Sequence, residues 1–448
     1  MKHPFPKVTT PIPGPKSLEL FEREQKHIST GLQRMALVAK IAVKEGHGAL
    51  LTDADGNVLV DLVAGVAVTS LGHGHPKYAK AISDQVSRIS AGSWTNEPRV
   101  RFLERLAPLL PKEIDRVQLY SGGAEAVEAA IRLAKSVTGR FEVLGFWGGF
   151  HGKTTGVLGL IGDEFKQGWG PLAVGTHLAP YADCYRCPIG QTYPACAMAC
   201  VEFLRKQIKA STLGSLAAII VEPMQGTAGN VIPPPEFLPA VKEVAKENGA
   251  LLIADEMITG FGRTGKMWGM DHTGTTPDIM TMGKGIASGF PVSALAAKEP
   301  YTRAKPYAKP SAASSSYGGN PLACAAAEAA LTVIQEEKLI ENSRVVGAYM
   351  LERLQGWKER FPIVGDVRGA GLFLGMDLVK DRTTKQLLSG KTCERIYLEC
   401  LKRGVLVMIY SPRVRIHPPL VITRDQAEAG LDVIEEVLGL VGSAIPLE

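Results

Sequence analysis

Nothing in this chain of 448 residues approaches the ~18 consecutive apolar residues that a membrane-spanning helix needs. Its start, Met1-Lys2-His3-Pro4-Phe5-Pro6, lacks the apolar core of a secretory signal. A cytoplasmic protein that makes no use of a membrane is therefore the expectation. No block of like charge occurs either. The 50 basic and 45 acidic residues leave a formal charge of +5 that is spread along the chain, which gives nucleic-acid binding no footing. Internal repeats and low-complexity segments are missing, which excludes a repeat architecture. Cysteine is scarce, with seven in all, and four of these crowd into one short segment. What remains is ordinary for a globular protein: 45% hydrophobic and 21% charged residues, in a chain long enough for about two or three domains of roughly 150 residues each.

The pattern along the chain divides it in three. Residues 1–74 read as an N-terminal arm followed by part of a small domain. The first thirty or so are rich in proline and charge, and read as an arm lying on the surface. Asp53-Ala54-Asp55-Gly56-Asn57 predicts a turn between strands at Ala49–Thr52 and Val58–Leu62. Residues 75–325 alternate helical periodicity with short apolar strands at Val117–Tyr120, Glu142–Phe146, Leu216–Val221, Ala250–Ala254, Asp278–Met282 and Val292–Ala297. Continuously apolar strands separated by helices predict a mostly parallel sheet in an α/β domain. Residues 326–448 predict a long helix around Gly347–Arg360, strands at Gly371–Leu378 and Val405–Tyr410, and a final helix over Arg424–Leu440. These belong to a smaller α+β domain.

Two residues stand out chemically. Lys284 follows an apolar run and sits between two glycines, and Asp255 ends the preceding strand. An acid and a lysine at neighbouring strand ends suit a pyridine aldehyde cofactor: the amine condenses with the aldehyde and the acid holds a proton on the ring nitrogen. The plainer alternatives are a solvated lysine and an Asp255–Arg263 ion pair. Gly122-Gly123-Ala124 opens an alanine-rich helix running to about Val137, with Gly139 as its stop. Glycines before a helix admit a phosphate to its free amides, or merely permit tight packing. The third glycine of a dinucleotide fingerprint is missing.

The ordered series Ser121-Gly122-Gly123-Ala124-Glu125-Ala126, Phe150-His151-Gly152, Val221-Glu222-Pro223-Met224-Gln225-Gly226, Asp255-Glu256-Met257-Ile258-Thr259-Gly260-Phe261-Gly262-Arg263-Thr264-Gly265, Lys284, Tyr317-Gly318-Gly319-Asn320-Pro321-Leu322 and Arg415-Ile416-His417-Pro418-Pro419-Leu420 resembles the class III aminotransferases. These are pyridoxal phosphate enzymes of fold type I, with a large domain built on a mostly parallel seven-stranded sheet and a small α+β domain from both chain ends. The similarity runs from about Leu51 to near the C-terminus.

The resemblance implies that Lys284 carries the cofactor and shuttles a proton, and that Asp255 pairs with the ring nitrogen. It implies that Gly123 and Ala124 bind the phosphate, Phe150 stacks on the ring, and Glu222 is a supporting acid near the cofactor. Ile258 would lie next to the cofactor hydroxyl, where many members carry glutamine. Ser316 stands where the family has a threonine that reaches the phosphate of a neighbouring subunit, with Ser314 and Ser315 leaving the register open by one. A homodimer with active sites at its interface follows. Arg415 would clamp a substrate carboxylate, with Arg413 as the competing candidate. Val66 would line the substrate side, where decarboxylating relatives carry an amide. Trp94 is either a pocket wall or a packed aromatic. His151 is read as shaping its turn.

Thr227 departs from the pattern of 4-aminobutyrate-type members, which place a glutamate there opposite the arginine. The expectation is that Arg415 swings away, or that the donor itself carries a carboxylate. The predicted activity is transfer of an amino group from an amine or (ω-)amino acid to pyruvate or 2-oxoglutarate by a ping-pong route. A racemase or epimerase of the same family is the alternative; a decarboxylase and a non-catalytic binding protein stand further back.

The crowded cysteines are Cys184, Cys187, Cys196 and Cys200. Their CxxC and CxxxC spacing has metal-ligand character, suited to zinc or an iron–sulfur cluster, but free thiols or disulfides fit as well, and no metal is the expectation.

Overall fold

The computed structural model describes residues 3–447. It divides into two compact units. One takes the chain up to Ala79, Arg263–Gly265 and everything from Glu337 on; the other takes Lys80–Gly262 and Lys266–Glu336.

The first unit begins with three strands, β1 (Val43–His47), β2 (Leu50–Asp53) and β3 (Val58–Asp61). They pair antiparallel around a turn in which the Asp53 carboxylate accepts from the amides of Asp55 and Asn57. Ahead of them the proline-rich segment contains a helix, Pro15–Gln25, which the arm reading did not anticipate. Proline sits at its first position, where no amide is needed, so it starts the helix where it would break one further in.

The second unit is built on seven strands: β4 (Arg116–Tyr120), β5 (Glu142–Phe146), β6 (Thr176–Ala179), β7 (Leu216–Val221), β8 (Leu251–Asp255), β9 (Ile279–Met282) and β10 (Ser293–Ala297). Their order is β4-β10-β9-β8-β7-β5-β6, and only β10 runs against the rest. Alternate residues of β7 show why the apolar runs are continuous. Ile219 and Val221 join a core with Phe237, Val241 and Leu204 on one face, whereas Ala218 and Ile220 join Val127, Ile131 and Leu133 of the helix Gly123–Thr138 on the other. A sheet covered by helices on both faces has no side for polar residues. The helix Gly123–Thr138 ends at Gly139, whose φ of +68° closes it in the left-handed region.

The last part of the chain returns to the first unit with β11 (Val364–Ala370), β12 (Phe373–Asp381), β13 (Gln386–Leu387), β14 (Val405–Leu406) and β15 (Arg413–Ile416). β14 runs parallel beside β3, and β15 pairs antiparallel with β12. The helices Leu339–Arg360 and Arg424–Gly439 complete an α+β unit drawn from both chain ends. Among the described residues, no helix is long and apolar enough to cross a membrane.

Candidate active site

In a parallel sheet the carboxyl ends of the strands share one edge, and loops leaving that edge are where ligand-binding residues collect. Asp255 closes β8, Glu222 follows β7, and Lys284 lies just beyond β9. The register pairs Asp255 with Thr281, so the acid and the lysine turn are neighbours along that edge.

Asp255 is buried and saturated with donors. Its Oδ2 lies 2.6 Å from Nδ1 of His151, and its Oδ1 accepts from the Thr281 hydroxyl at 3.1 Å and the Met257 amide at 3.2 Å. Burial opposes charge on His151. The hydrogen bond and charge of Asp255, with Glu222 behind them, more than offset that, so the His151 pKa lies above its ordinary value. The ion-pair alternative for Asp255 is thus replaced by a histidine. Arg263 instead is buried in the other unit, where its guanidinium donates to the carbonyls of Leu372 (3.2 Å) and Pro418. Burial holds its pKa down to about 9.

Glu222 is also buried. Its two oxygens accept from the amides of Phe150 at 2.9 Å and Gly226 at 3.0 Å. Burial pushes its pKa up to about 7; the His151 charge and the amide donors oppose the shift, and the Asp255 charge adds to it. Glu222 therefore ties the Phe150 loop to the Gln225-Gly226 loop. Phe150 is half-buried, with the Lys153 ammonium 6.0 Å from its ring centre. Ile258 is buried against Gly226, where an added Cβ would come within 2.4 Å of its Cδ1.

Lys284 holds a left-handed φ of +44°, unusual for a side chain of its length. It is half-buried in the short turn Lys284–Ile286. Gly123 and Ala124 begin their helix, so their amides have no helical acceptor, and Glu125 takes the two amides before them, Ser121 at 3.0 Å and Gly122 at 3.4 Å. Met257 joins this turn to the lysine turn. A Cβ on Gly123 would meet its sulfur at 3.2 Å, and one on Gly283 at 2.5 Å.

Ser314 and Ser315 use their hydroxyls within their own loop, to Ser311 O and from the Gly318 amide, while Ser316 is exposed. Trp94 is 72% exposed and Tyr317 74%, so Trp94 is not a packed aromatic within this chain. Arg99 holds the Trp94 segment in place, donating to its carbonyl at 2.8 Å and to that of Gly92 at 3.1 Å.

In the other unit, Arg415 lies on β15 opposite Gly375, which has no side chain to meet it. Arg413 instead lies 3.7 Å from the buried Asp377 carboxylate. Val66 sits in a turn where Ala64, Gly65, Val66 and Ala67 all have φ between 49° and 69°. A β-branched residue there is strained, and Asp61 fixes the turn by accepting from the amides of Val63 and Ala64 while its other oxygen meets His73 at 3.0 Å.

The sequence reading missed His151 as the partner of Asp255, and Met257 as the residue packed between two turns. Position alone marked them: each adjoins a residue that was singled out.

The chain is similar to known proteins in both sequence and fold. The family described as Aminotransferase class-III matches residues 33–438. The chain is 34% identical to an alanine/serine racemase of Pyrococcus horikoshii, over 97% of this chain and 93% of that protein. It is 35% identical to an acetylornithine aminotransferase of Methanothermobacter thermautotrophicus, over 94% and 99%. An amine transaminase from an uncultivated Pseudomonas species, solved in a PLP-bound form, superposes with a TM-score of 0.87 at 32% identity, covering 92% of this chain and 98% of that one. The fold is that of these fold type I transaminases, and the chain belongs to the class III aminotransferases.

Proposed function

We propose that the protein uses pyridoxal phosphate to move an amino group from an amine or (ω-)amino acid to a 2-oxo acid such as pyruvate or 2-oxoglutarate, working as a cytoplasmic homodimer. The observation that carries this reading is the sheet edge itself: a buried carboxylate paired with a histidine, the lysine turn on the adjacent strand, and a helix start with open amides. The donor set fits the cofactor: the Lys284 turn supplies an amine, the buried Asp255 an acid, and the first amides of the helix Gly123–Thr138 donors for an anion, all from one unit.

When bound, pyridoxal phosphate supplies an aldehyde for the donor amine and a cationic ring that draws electrons from the substrate carbon. Lys284 would hold it through Nζ and then move the proton released by the substrate carbon. Asp255, fixed by His151, would keep the ring nitrogen protonated. Phe150 would cover one ring face, Ile258 would border the hydroxyl side, and Glu222 would hold the two loops together from below. The Gly123 and Ala124 amides would bind the phosphate, joined by the Ser316 hydroxyl of a second copy. Arg415 would take the carboxylate of the oxo acid, with Val66 and Trp94 bordering the substrate. One product leaves before the second substrate enters, so the kinetics are ping-pong.

A second reading, racemisation of an amino acid, is favoured by the alanine/serine racemase relative and uses the same residues. A panel of amino donors with pyruvate and with 2-oxoglutarate, followed by the cofactor absorbance, separates the two. A donor that bleaches the band and an oxo acid that restores it support transamination. Scrambling of a single enantiomer without any oxo acid supports the racemase. A band that no amine changes contradicts both.

A further inference from the structure

Four cysteines take no part in the reaction above. They lie on the excursion that leaves β6 and re-enters regular structure at the helix Ala199–Ser211. Cys184, Cys187, Cys196 and Cys200 all line one small cavity, closed in by Tyr193 and Ile189. Its free room is about 10 Å³, the space of a single water or a single ion and too little for a multi-iron cluster. The other three cysteines are buried elsewhere: Cys324 on the helix Pro321–Glu336, and Cys393 and Cys400 on the helix Gly390–Lys402.

The surroundings of these sulfurs suit anions. The Gln191 amide donates to Cys187 Sγ at 3.3 Å. Cys200 stands in the first turn of a thirteen-residue helix. Amide donors and a helix start lower the cost of a thiolate. The backbone is also set at some cost. Ala197 and Met198 are consecutive non-glycine residues in the left-handed region, at φ 46° and 58°, and they turn the chain sharply between Cys196 and Cys200.

We propose that Cys184, Cys187, Cys196 and Cys200 form a tetrathiolate site for one divalent zinc ion, which fastens this excursion beside the sheet. This proposal departs from the sequence-based expectation of no metal. Among the described residues the one trio of potential ligands already within 4.8 Å of each other is His3, Glu428 and Asp432. The cysteine loop therefore has to tighten as the ion enters and the thiol protons leave to solvent. The trio itself is an ion-pair cluster, since Asp432 also accepts from Arg353 at 3.1 Å, and a cation gains little there.

The test is elemental analysis of the full-length holoprotein, produced with zinc in the medium and purified without chelator, together with a count of reactive thiols and an intact mass. The expected result is about one zinc per chain, with the four loop thiols unreactive until the metal is stripped, and a lower melting temperature once it is. The double variant C184S/C196S should lose the zinc, whereas C324S should keep it. If the double variant fails to fold, cobalt substitution of the wild-type chain decides, through the intense visible bands of a tetrahedral thiolate site. A zinc content below about a tenth per chain, zinc retained by a folded double variant, or a mass lower by about two or four daltons from disulfides would overturn the proposal. None of these readouts depends on aminotransferase activity.

Discussion

His151 changes what Asp255 can do. Its ring nitrogen lies 2.6 Å from the carboxylate and fixes it in place, and although burial opposes a charge on His151, the bond and charge of Asp255 raise its pKa above the ordinary value. His151→Ala should therefore lower kcat by about 10–100-fold and shift the absorbance of the bound cofactor toward its unprotonated-ring form, with folding retained in circular dichroism. His151→Gln, which still donates, should recover part of the loss. Glu222 gives a prediction in pH. Its pKa is about 7 in the fold against 4.5 as the ordinary value, so the folded state binds more protons than the unfolded state between those limits. Its contribution is therefore neutral below pH 4.5, and it destabilises increasingly as pH rises through about 7. Thermal melts of the cofactor-free protein should show Glu222→Gln removing that decline, a relative gain on the order of 1–3 kcal/mol at pH 8.

Elements were legible where burial wrote them into composition. The strand β7 is apolar throughout, and β5 is apolar after Glu142, because helices cover both faces, and they occur where the periodicity put them. β6 was missed because Thr176-His177-Leu178-Ala179 is short and carries a histidine, which turns to the buried Glu142 carboxylate at 2.9 Å. β11 was missed because Val364–Ala370 contains two glycines, an aspartate and an arginine, and gains its place from pairing with β12. Val405–Tyr410 was expected as one strand, yet β14 stops at Leu406 and leaves only a bridge from Met408 to Arg415 beyond it. The residues of the sheet edge could be read because glycines and acids interrupt apolar runs there. Their contacts could not, since Asp255 and His151 are 104 residues apart. The loop carrying His151 also sets a steric limit. Gly152 has φ +127°, and a Cβ there would lie 2.4 Å from that of Ala124. Gly152→Ala should destabilise the fold by about 2–3 kcal/mol in denaturant melts and weaken cofactor affinity by displacing the helix start.

At the scale of the whole molecule, the proposed second copy would have exposed aromatic side chains to cover. Trp94 and Tyr317 stand in solvent on segments that Asn96 ties together, through Trp94 O and Gly319 O. Large apolar side chains clustered in this way mark a surface that is covered in use. Sedimentation should give a dimer or a multiple of one, and Trp94→Asp should shift it toward monomer. Ser316→Ala should weaken cofactor binding about tenfold in the intact dimer, as expected when one charge-assisted hydrogen bond is lost. The proposed chemistry depends on one covalent attachment. Borohydride reduction of the holoprotein followed by peptide mapping should place the cofactor's mass on Lys284 and nowhere else; a label on any other lysine, or none at all, would contradict it.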